Sequence, residues 1–237
     1  MKKIFINDMQ LGKYVADQIE ELIGKKADAL ICIAAGTSSL SVFEALISRV
    51  KAGKLTFCQA SFMAMDEWLH FSIEEDGSMG DFLTKHFLKH VDFNDVFLFD
   101  GMTSDCEAES LRAESFISEH GGIDYIIYGI GMNGHIALNE PGADIQERTH
   151  KVKVDVITAH EGLKYFGRTD AVLTEGITLG VANALEARKV ILIANTASKH
   201  DIICKFENDT PTSSLPATFL KRKDNFELLI TQVVVEG

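Results

Sequence analysis

Short, wholly apolar runs recur along this chain and are separated by longer segments with helical periodicity. The runs Leu30 to Ala34 and Val190 to Ala194 contain no polar alternation, so a strand at either place has both of its faces covered. Between such runs, apolar residues recur every three or four positions, as they do from Leu11 to Leu22 and from Leu40 to Val50. This alternation predicts an α/β fold of the doubly wound, Rossmann-like type, in which helices cover both faces of a mostly parallel sheet.

Further apolar runs predict four more strands, at Ser61 to Met65, Val96 to Phe99, Tyr125 to Ile130 and Glu227 to Val233. The last of them is expected to close the sheet or to lie along its edge. A helix is predicted from Glu107 to His120. No internal repeat, low-complexity tract or Pro/Gly/Ser-rich linker divides the chain, so residues 1–237 are predicted to form one domain.

Composition excludes several classes of partner and location. The formal net charge of −12 repels nucleic acids and anionic membranes, so neither is an expected partner. The first apolar stretch stops at Asn7 and no run approaches the length of a membrane span, which predicts a soluble protein without a signal peptide. The four cysteines form no CxxC pair and have no histidine at metal-ligand spacing. We therefore expect a cytoplasmic protein without a disulfide framework or a zinc site.

Unusual residues follow three of the predicted strands, at the sheet edge where ligands of such folds bind. After the first strand, Gly36, Thr37 and Ser38 lead into a helix. Small residues let backbone N–H groups approach a phosphate, hydroxyls add donors, and the helix N-terminus adds partial positive charge. The same residues also suit a tight turn in which Ser38 or Ser39 caps the helix, and the motif alone leaves both interpretations open.

Two acids, Asp66 and Glu67, follow the second strand. Carboxylates at the end of an apolar strand are partly desolvated, which raises their pKa toward the range useful for proton transfer. The alternative is a solvated loop acid or a cap on the next segment. The position at the carboxyl end of a strand favours a functional acid.

The segment from Gly129 to Gly142 is the most informative in the chain. Its glycines hold an irregular backbone after a strand and bring His135 near Asn133 and Glu140. Histidine titrates near neutrality, and a carboxylate such as Glu140 can orient the ring and stabilise its protonated form. A histidine in a glycine-rich loop is often structural, but its position between Asn133 and Glu140 favours catalysis.

Lys199 opens the helix that follows the strand Val190 to Ala194. The helix dipole disfavours a lysine at this end, so a bound anion would explain its presence. A solvated surface lysine is the commoner case. Lys199 is therefore a candidate phosphate ligand.

Three segments of the chain resemble the glucosamine-6-phosphate deaminase/isomerase family. They are Met65 to Trp68, Gly131 to Pro141 with its Asn-Gly-His and Asn-Glu-Pro sequences, and Thr178 to Val181 leading to Lys199. The similarity runs in order from about Ala29 to Leu229, which is most of the chain.

Within that family the sequence looks most like the galactosamine-6-phosphate isomerase branch. Asn133 stands where the glucosamine enzymes usually have aspartate, and the Ser-Leu-Pro-Ala-Thr-Phe-Leu sequence from Ser214 to Leu220 is a further cue. An amide can hydrogen-bond but cannot carry negative charge, so the relay to His135 must differ electrostatically from that of the glucosamine enzymes.

The resemblance implies conversion of a 2-amino-2-deoxyhexose 6-phosphate into a ketose 6-phosphate and ammonia, without a metal or an organic cofactor. Galactosamine 6-phosphate giving tagatose 6-phosphate is the main expectation. The alternative is glucosamine 6-phosphate giving fructose 6-phosphate. The expected partners are this small phosphosugar and, in a homo-oligomer, other copies of the chain.

A division of labour among the site residues is also implied. Asp66 would move a proton between C2 and C1 through an enolamine, His135 would shuttle the proton that opens the sugar ring, and Glu140 would hold and tune His135. The residues expected to bind the phosphate are Gly36, Thr37, Ser38, Gly129 and Lys199. The phosphate-binding arginine of the glucosamine enzymes has no secure counterpart, because Lys164 and Arg168 lie nearby but neither falls in register.

Two other functions of this fold are weaker alternatives. A 6-phosphogluconolactonase typically has Asp-Glu-Arg at the first acid and lacks Asn-Glu-Pro, so Trp68 and the sequence Asn139 to Pro141 argue against it. A sugar-phosphate sensor of a transcription regulator needs a DNA-binding module. The residues before the first core strand contain no basic recognition helix.

Overall fold

The computed structural model describes residues 1–167 and 170–237. Arg168, one of the two basic candidates, lies outside the described residues. The strands are β1 (Lys2–Phe5), β2 (Leu30–Ile33), β3 (Ser61–Met63), β4 (Asp66–Trp68), β5 (Asp95–Phe97), β6 (Tyr125–Gly129), β7 (His150–Lys153), β8 (Glu175–Thr178), β9 (Lys189–Ala194) and β10 (Phe226–Thr231). The α-helices are α1 (Asp8–Lys25), α2 (Leu40–Lys51), α3 (Met79–His86), α4 (Cys106–Glu119), α5 (Val156–Leu163), α6 (Val181–Glu186), α7 (His200–Asn208) and α8 (Gln232–Glu236).

A seven-stranded sheet forms the centre of the molecule, in the order β1-β10-β9-β6-β2-β3-β5. Each strand runs parallel to its neighbours, and helices lie on both sides of the sheet. Every residue of β2 is buried, as are the last five residues of β9. Both faces of these strands are covered, which explains why their sequences lack polar alternation. The predicted doubly wound, mostly parallel α/β fold is confirmed.

A second sheet was not predicted. It is antiparallel, with the order β4-β8-β7, and it packs at the carboxyl edge of the larger sheet through β4. The predicted strand Ser61 to Met65 is therefore wrong at its end. The main-sheet strand stops at Met63, because the carbonyl of Met65 turns to accept the N–H of Leu179 at 2.7 Å. Asp66 then begins β4, opposite Thr178 of β8.

The C-terminal strand also differs from its prediction. It ends at Thr231 rather than Val233, and the chain continues as α8. Val234 packs into the core, whereas the preceding residue, Val233, is exposed. A strand at this place in the sheet has both faces covered, so an exposed Val233 does not fit a continuation of β10. This strand, β10, lies between β1 and β9, so β1 and not β10 forms the edge.

The strand order fixes the place of the functional site. Strands β2 and β6 are neighbours in the sheet. The chain continues from β2 to β3 in one direction across the sheet and from β6 to β9 in the opposite direction. The order reverses between β2 and β6, and ligands of such sheets bind in the crevice beyond the carboxyl ends of the strands at this point. In the described part of the chain, no helix is long and apolar enough to cross a membrane.

Candidate active site

A cavity of about 250 Å³ opens at the carboxyl ends of β2, β6 and β9. The structure brings seven of the predicted site residues to its wall, namely Gly36, Thr37, Ser38, Asp66, Gly129, His135 and Lys199. The other two, Asn133 and Glu140, lie behind His135 and contact it or each other through hydrogen bonds. The sequence prediction thus assembles one site from four separate stretches of chain.

The loop after β6 places the His135 ring against the backbone. A Cβ atom at Gly131 would lie 2.2 Å from the ring of His135, so only glycine leaves room for this packing. Gly134 has a φ of +86° and Ala137 a φ of +50°, both in the left-handed region. A non-glycine residue is uncommon there, and such strain is characteristic of functional loops. Asn139 fixes the loop by donating from its side-chain amide to the carbonyls of Ile136 and Leu179.

Asn133 links His135 to Glu140. Its Nδ2 donates to Oε2 of Glu140 at 2.8 Å, and its Oδ1 lies 2.8 Å from Nδ1 of His135. An ionised carboxylate is an acceptor only, so the NH₂ group must face Glu140 and the amide oxygen must face His135. Nδ1 therefore carries the proton, and Nε2 is the unprotonated nitrogen of the ring.

Thr158, on α5, completes this network and was missed by the sequence analysis. Its hydroxyl lies 2.8 Å from Nδ1 of His135 and is also hydrogen-bonded to Glu140. Thr158 is 4 % exposed, so a buried hydroxyl takes part in positioning the ring. No local motif surrounds Thr158, and periodicity within α5 gives no hint that it reaches the loop after β6.

The His135 side chain is neutral in this environment. Burial lowers its pKa to about 4, and the positive charge of Lys199 acts in the same direction. That Glu140 stabilises the protonated form of the ring stays a prediction. Oε2 of Glu140 lies 3.7 Å from Nδ1, and the Asn133 amide and the Thr158 hydroxyl mediate the connection.

Asp66 lies on the cavity wall and is 6 % exposed. Burial raises the pKa of this carboxyl well above its usual range, and the neighbouring charge of Glu67 adds to the effect. Among the described residues, none donates a hydrogen bond to its oxygens. The predicted desolvation is confirmed, and the arrangement leaves a strongly basic carboxylate facing the cavity once it ionises.

Glu67 has a different environment from Asp66, although the two are adjacent. Its carboxylate accepts N–H bonds from Trp68 at 2.8 Å, Met79 at 2.9 Å and Gly80 at 2.7 Å. Two of these donors belong to the first turn of α3, so Glu67 satisfies backbone groups that the helix leaves unpaired. Burial nevertheless raises the pKa of Glu67 to about 7. Of the two alternatives weighed for this acid pair, capping describes Glu67.

The turn after β2 lines the cavity with Gly36, Thr37 and Ser38. Gly36 has a φ of +150°, and Thr37–Ser39 form a single 3₁₀ turn before α2. The Ser39 hydroxyl donates to the carbonyl of Ala34 at 2.8 Å instead of capping the helix. Gly129 lies across the turn, where a Cβ would come within 2.8 Å of the Ser38 hydroxyl. The small residues thus permit a close approach of β6 to this turn.

Two lysines face the same end of the cavity. Lys199 is the last residue of a 3₁₀ turn before α7, and burial lowers its pKa. Within the described ranges, no acidic group lies within 4.0 Å of its ammonium nitrogen. Lys164 also lines the cavity, with Nζ 3.1 Å from a carboxylate oxygen of Glu161. Of the two uncertain basic candidates, Lys164 thus lies at the site, and Arg168 is outside the described residues.

Several curated proteins resemble the chain over nearly its whole length. A glucosamine-6-phosphate deaminase from Bacillus pumilus is 34 % identical over 228 residues, which cover 95 % of this chain and 95 % of the relative. A putative deaminase AgaI from Escherichia coli K12 is 31 % identical over 226 residues, covering 94 % of this chain and 89 % of the relative.

Solved structures agree with the observed fold. The structure of a monomeric glucosamine-6-phosphate deaminase matches with a TM-score of 0.92 at 25 % identity and covers 100 % of this chain and 98 % of its own. A 6-phosphogluconolactonase from Trypanosoma brucei matches with a TM-score of 0.74 at 19 % identity and covers 100 % of this chain and 97 % of its own. The second likeness is a likeness of fold.

A family model gives the same result at the level of sequence. Residues 8–230 match the sequence model of the family described as glucosamine-6-phosphate isomerases/6-phosphogluconolactonase. The chain therefore belongs to the family of glucosamine-6-phosphate isomerases and 6-phosphogluconolactonases.

Proposed function

We propose that this protein isomerises and deaminates a 2-amino-2-deoxyhexose 6-phosphate, releasing a ketose 6-phosphate and ammonia. One observation carries the proposal. Buried Asp66 and neutral His135 line the same cavity as the turn after β2 and Lys199. A proton-transfer pair and an anion site in one cavity suit a phosphorylated substrate whose reacting carbons lie away from the phosphate.

The phosphate would bind between the turn Gly36–Ser38 and Lys199, with Gly129 allowing the close approach. Backbone N–H groups and hydroxyls of the turn supply donors, and Lys199 supplies a cation without an acidic partner among the described residues. Lys164 adds a second cation at the same end. Binding of this remote group orients the reacting carbons, which lowers the entropic part of the barrier.

His135 would open the sugar ring. Its Nδ1 is hydrogen-bonded to Asn133 and Thr158, which leaves the unprotonated Nε2 as the base. Nε2 takes the proton of the anomeric hydroxyl, the bond between C1 and the ring oxygen breaks, and the ring oxygen receives the proton. A neutral histidine is needed for the first half of this step, in agreement with its lowered pKa.

Asp66 would then carry out the isomerisation. Its carboxylate removes the proton from C2 while the aldehyde oxygen takes up a proton from water, which gives an enolamine. Return of the proton from Asp66 to C1 forms an iminium group at C2. Water adds to C2, the C–N bond breaks, and ammonia leaves with the ketose 6-phosphate as the second product. The raised pKa of Asp66 makes its carboxylate a stronger base than an exposed aspartate.

For the sugar itself we infer glucosamine 6-phosphate, with fructose 6-phosphate as the product. Two relatives bear the name of a glucosamine-6-phosphate deaminase. Asn133 is one of several sequence cues for the galacto epimer, together with Trp68 and the sequence from Ser214 to Leu220. Both polar atoms of the Asn133 side chain are engaged with His135 and Glu140, so this residue has no free group to read a hydroxyl at C4. Galactosamine 6-phosphate remains the second candidate because of Asn133 and the sequence from Ser214 to Leu220.

The test is ammonia release from the two epimers in parallel, with the ketose product identified. We expect faster turnover of glucosamine 6-phosphate and formation of fructose 6-phosphate. Faster turnover of galactosamine 6-phosphate would overturn the choice of epimer and keep the mechanism. Release of ammonia from neither substrate would overturn the proposed function, and hydrolysis of 6-phosphogluconolactone would then identify a lactonase.

A further inference from the structure

Tyr165 brings a phenolic hydroxyl to the turn after β2 from a segment far away in sequence. The backbone N–H of Thr37 donates to its Oη at 3.2 Å. A Cβ atom at Gly36 would lie 3.4 Å from the same oxygen, which is an ordinary van der Waals distance, so Gly36 borders the hydroxyl. Tyr165 lines the cavity together with Thr37, Ser38 and Lys199. The hydroxyl is therefore at the end of the cavity where the phosphate would bind.

The ring of Tyr165 is supported from two sides. Phe82, on α3, packs edge-on against it with the ring centroids 5.5 Å apart and an interplanar angle of 82°. The Lys164 ammonium lies 5.2 Å from the centroid of the ring. These contacts restrict the ring and keep Oη beside Thr37. They do so although, among the described residues, the hydroxyl of Tyr165 donates no hydrogen bond.

The hydroxyl hydrogen of Tyr165 is an unused donor. A phenol accepts and donates, and Oη accepts the Thr37 N–H. No group in residues 1–167 or 170–237 accepts its hydrogen. Hydrogen bonds to an anion are stronger than those between neutral groups, and an O–H donor that already accepts from an N–H is polarised in the direction of the anion. Lys199, Lys164 and the Ser38 hydroxyl line the same cavity and are cations or donors, and the carboxylate of Glu161, which also lines it, is paired with Lys164.

We propose that Tyr165 is a phosphate-binding residue, whose hydroxyl donates to a phosphate oxygen while it accepts the N–H of Thr37. The inference rests on the proposed function and extends it, because it adds to the phosphate site a ligand from the segment after α5. It also gives the Thr37 N–H a role, since this group acts on the phosphate through Tyr165 rather than directly. Loss of the hydroxyl weakens phosphate binding and leaves proton transfer at Asp66 and His135 intact.

The experiment is titration calorimetry with inorganic phosphate on the wild-type protein and on Tyr165→Phe, Lys199→Ala and Tyr14→Phe. Tyr14 donates to Glu227 away from the cavity and is the matched control for loss of a phenolic hydroxyl. We expect Tyr165→Phe to raise the Kd for phosphate about tenfold, as expected for a hydrogen bond to a charged group. KM for the amino-sugar phosphate should rise in parallel, with kcat unchanged. Tyr14→Phe should leave both values as in the wild type.

The outcomes separate this inference from the proposed function. If Lys199→Ala weakens phosphate binding and Tyr165→Phe does not, the role of Tyr165 is wrong and the phosphate site stands. If neither variant weakens it, the phosphate site itself is wrong. Tighter binding by Tyr165→Phe would mean that the hydroxyl blocks the Thr37 N–H, which overturns the proposal.

A purely structural role is excluded by melting temperatures measured with and without phosphate. If Tyr165→Phe lowers the melting temperature of the phosphate-free protein but keeps the full rise on adding phosphate, Tyr165 only supports the turn and the proposal is wrong. The proposal predicts a smaller rise than in the wild type, because a ligand that binds the folded state more weakly stabilises it less.

Discussion

The amide oxygen of Asn133 lies 2.8 Å from Nδ1 of His135. The amide nitrogen of the same side chain donates to Glu140, so an uncharged group connects the histidine to the carboxylate. An amide fixes the tautomer of the ring without adding negative charge next to it. Burial lowers the pKa of His135 to about 4, the charge of Lys199 adds to the effect, and the ring presents an unprotonated Nε2.

The uncharged amide of Asn133 should keep the pKa of His135 low. Asn133→Asp places a carboxylate beside Nδ1 and should raise the pKa of His135 from about 4 to above its ordinary value. The measurement is an NMR titration of the His135 ring. Asn208→Asp, which adds the same charge at an exposed position, should leave this pKa unchanged. A pKa that stays near 4 in Asn133→Asp would show that the amide does not control the histidine.

Thr158 should be a positioning residue for His135. Thr158→Val keeps the shape of the side chain and removes the hydroxyl beside Nδ1. We expect kcat to fall about tenfold with KM nearly unchanged, since the loss of a buried hydrogen bond costs about 1–2 kcal/mol. Thr158→Ser restores the hydroxyl and should restore most of kcat. Equal losses in the valine and serine variants would assign Thr158 to packing alone.

The two lysines should differ in their contributions to KM. Lys199 is partly buried and has no acidic group within 4.0 Å among the described residues, whereas Lys164 is half exposed and paired with Glu161. Lys199→Ala should raise KM at least tenfold, and Lys164→Ala should raise it less, because exposed charges are screened. Steady-state kinetics at two ionic strengths test this. A fall in kcat alone for Lys199→Ala would contradict its role as a phosphate ligand.

Glu67 should make folding stability depend on pH. Its pKa rises from 4.5 to about 7 in the folded protein, so the folded state holds this proton more tightly than the unfolded chain. The resulting stabilisation is fully present below pH 4.5 and is lost as the pH rises through about 7. Glu67→Gln should remove up to about 3 kcal/mol of this change in the free energy of unfolding. Denaturant unfolding between these pH values tests the prediction, with Glu119→Gln as the exposed control. An unchanged pH dependence would be the contrary result.

The apolar patterns of the strands and the residues at their ends allow part of the fold and of the site to be predicted from the sequence. The buried strands β2 and β9 are recognisable because two covered faces require continuous apolar runs. The ends of parallel strands meet at one edge, which allowed Asp66, His135 and the turn Gly36–Ser38 to be assigned to one site. These inferences depend on local patterns and on a general rule of topology.

Contacts between distant segments were beyond the sequence analysis. Strand β4 exists because Asp66–Trp68 pairs with β8, and three residues carry too little periodicity to reveal it. Thr158 lies in α5 and Tyr165 follows that helix, and both contact site residues that are distant in sequence. Neither residue lies in a recognisable motif. The low pKa of His135 also depends on distant segments, because burial and the charge of Lys199 outweigh the opposite effect of Asp155.

The central claim is that the Asp66 carboxylate moves the proton between C2 and C1. The most direct measurement is kcat for ammonia release from glucosamine 6-phosphate by the wild type and by Asp66→Asn, with Asp17→Asn as an exposed control. The account predicts that Asp66→Asn lowers kcat by about 10²–10⁴, with little change in substrate affinity, and that Asp17→Asn has no effect. An Asp66→Asn enzyme with unimpaired kcat would contradict it.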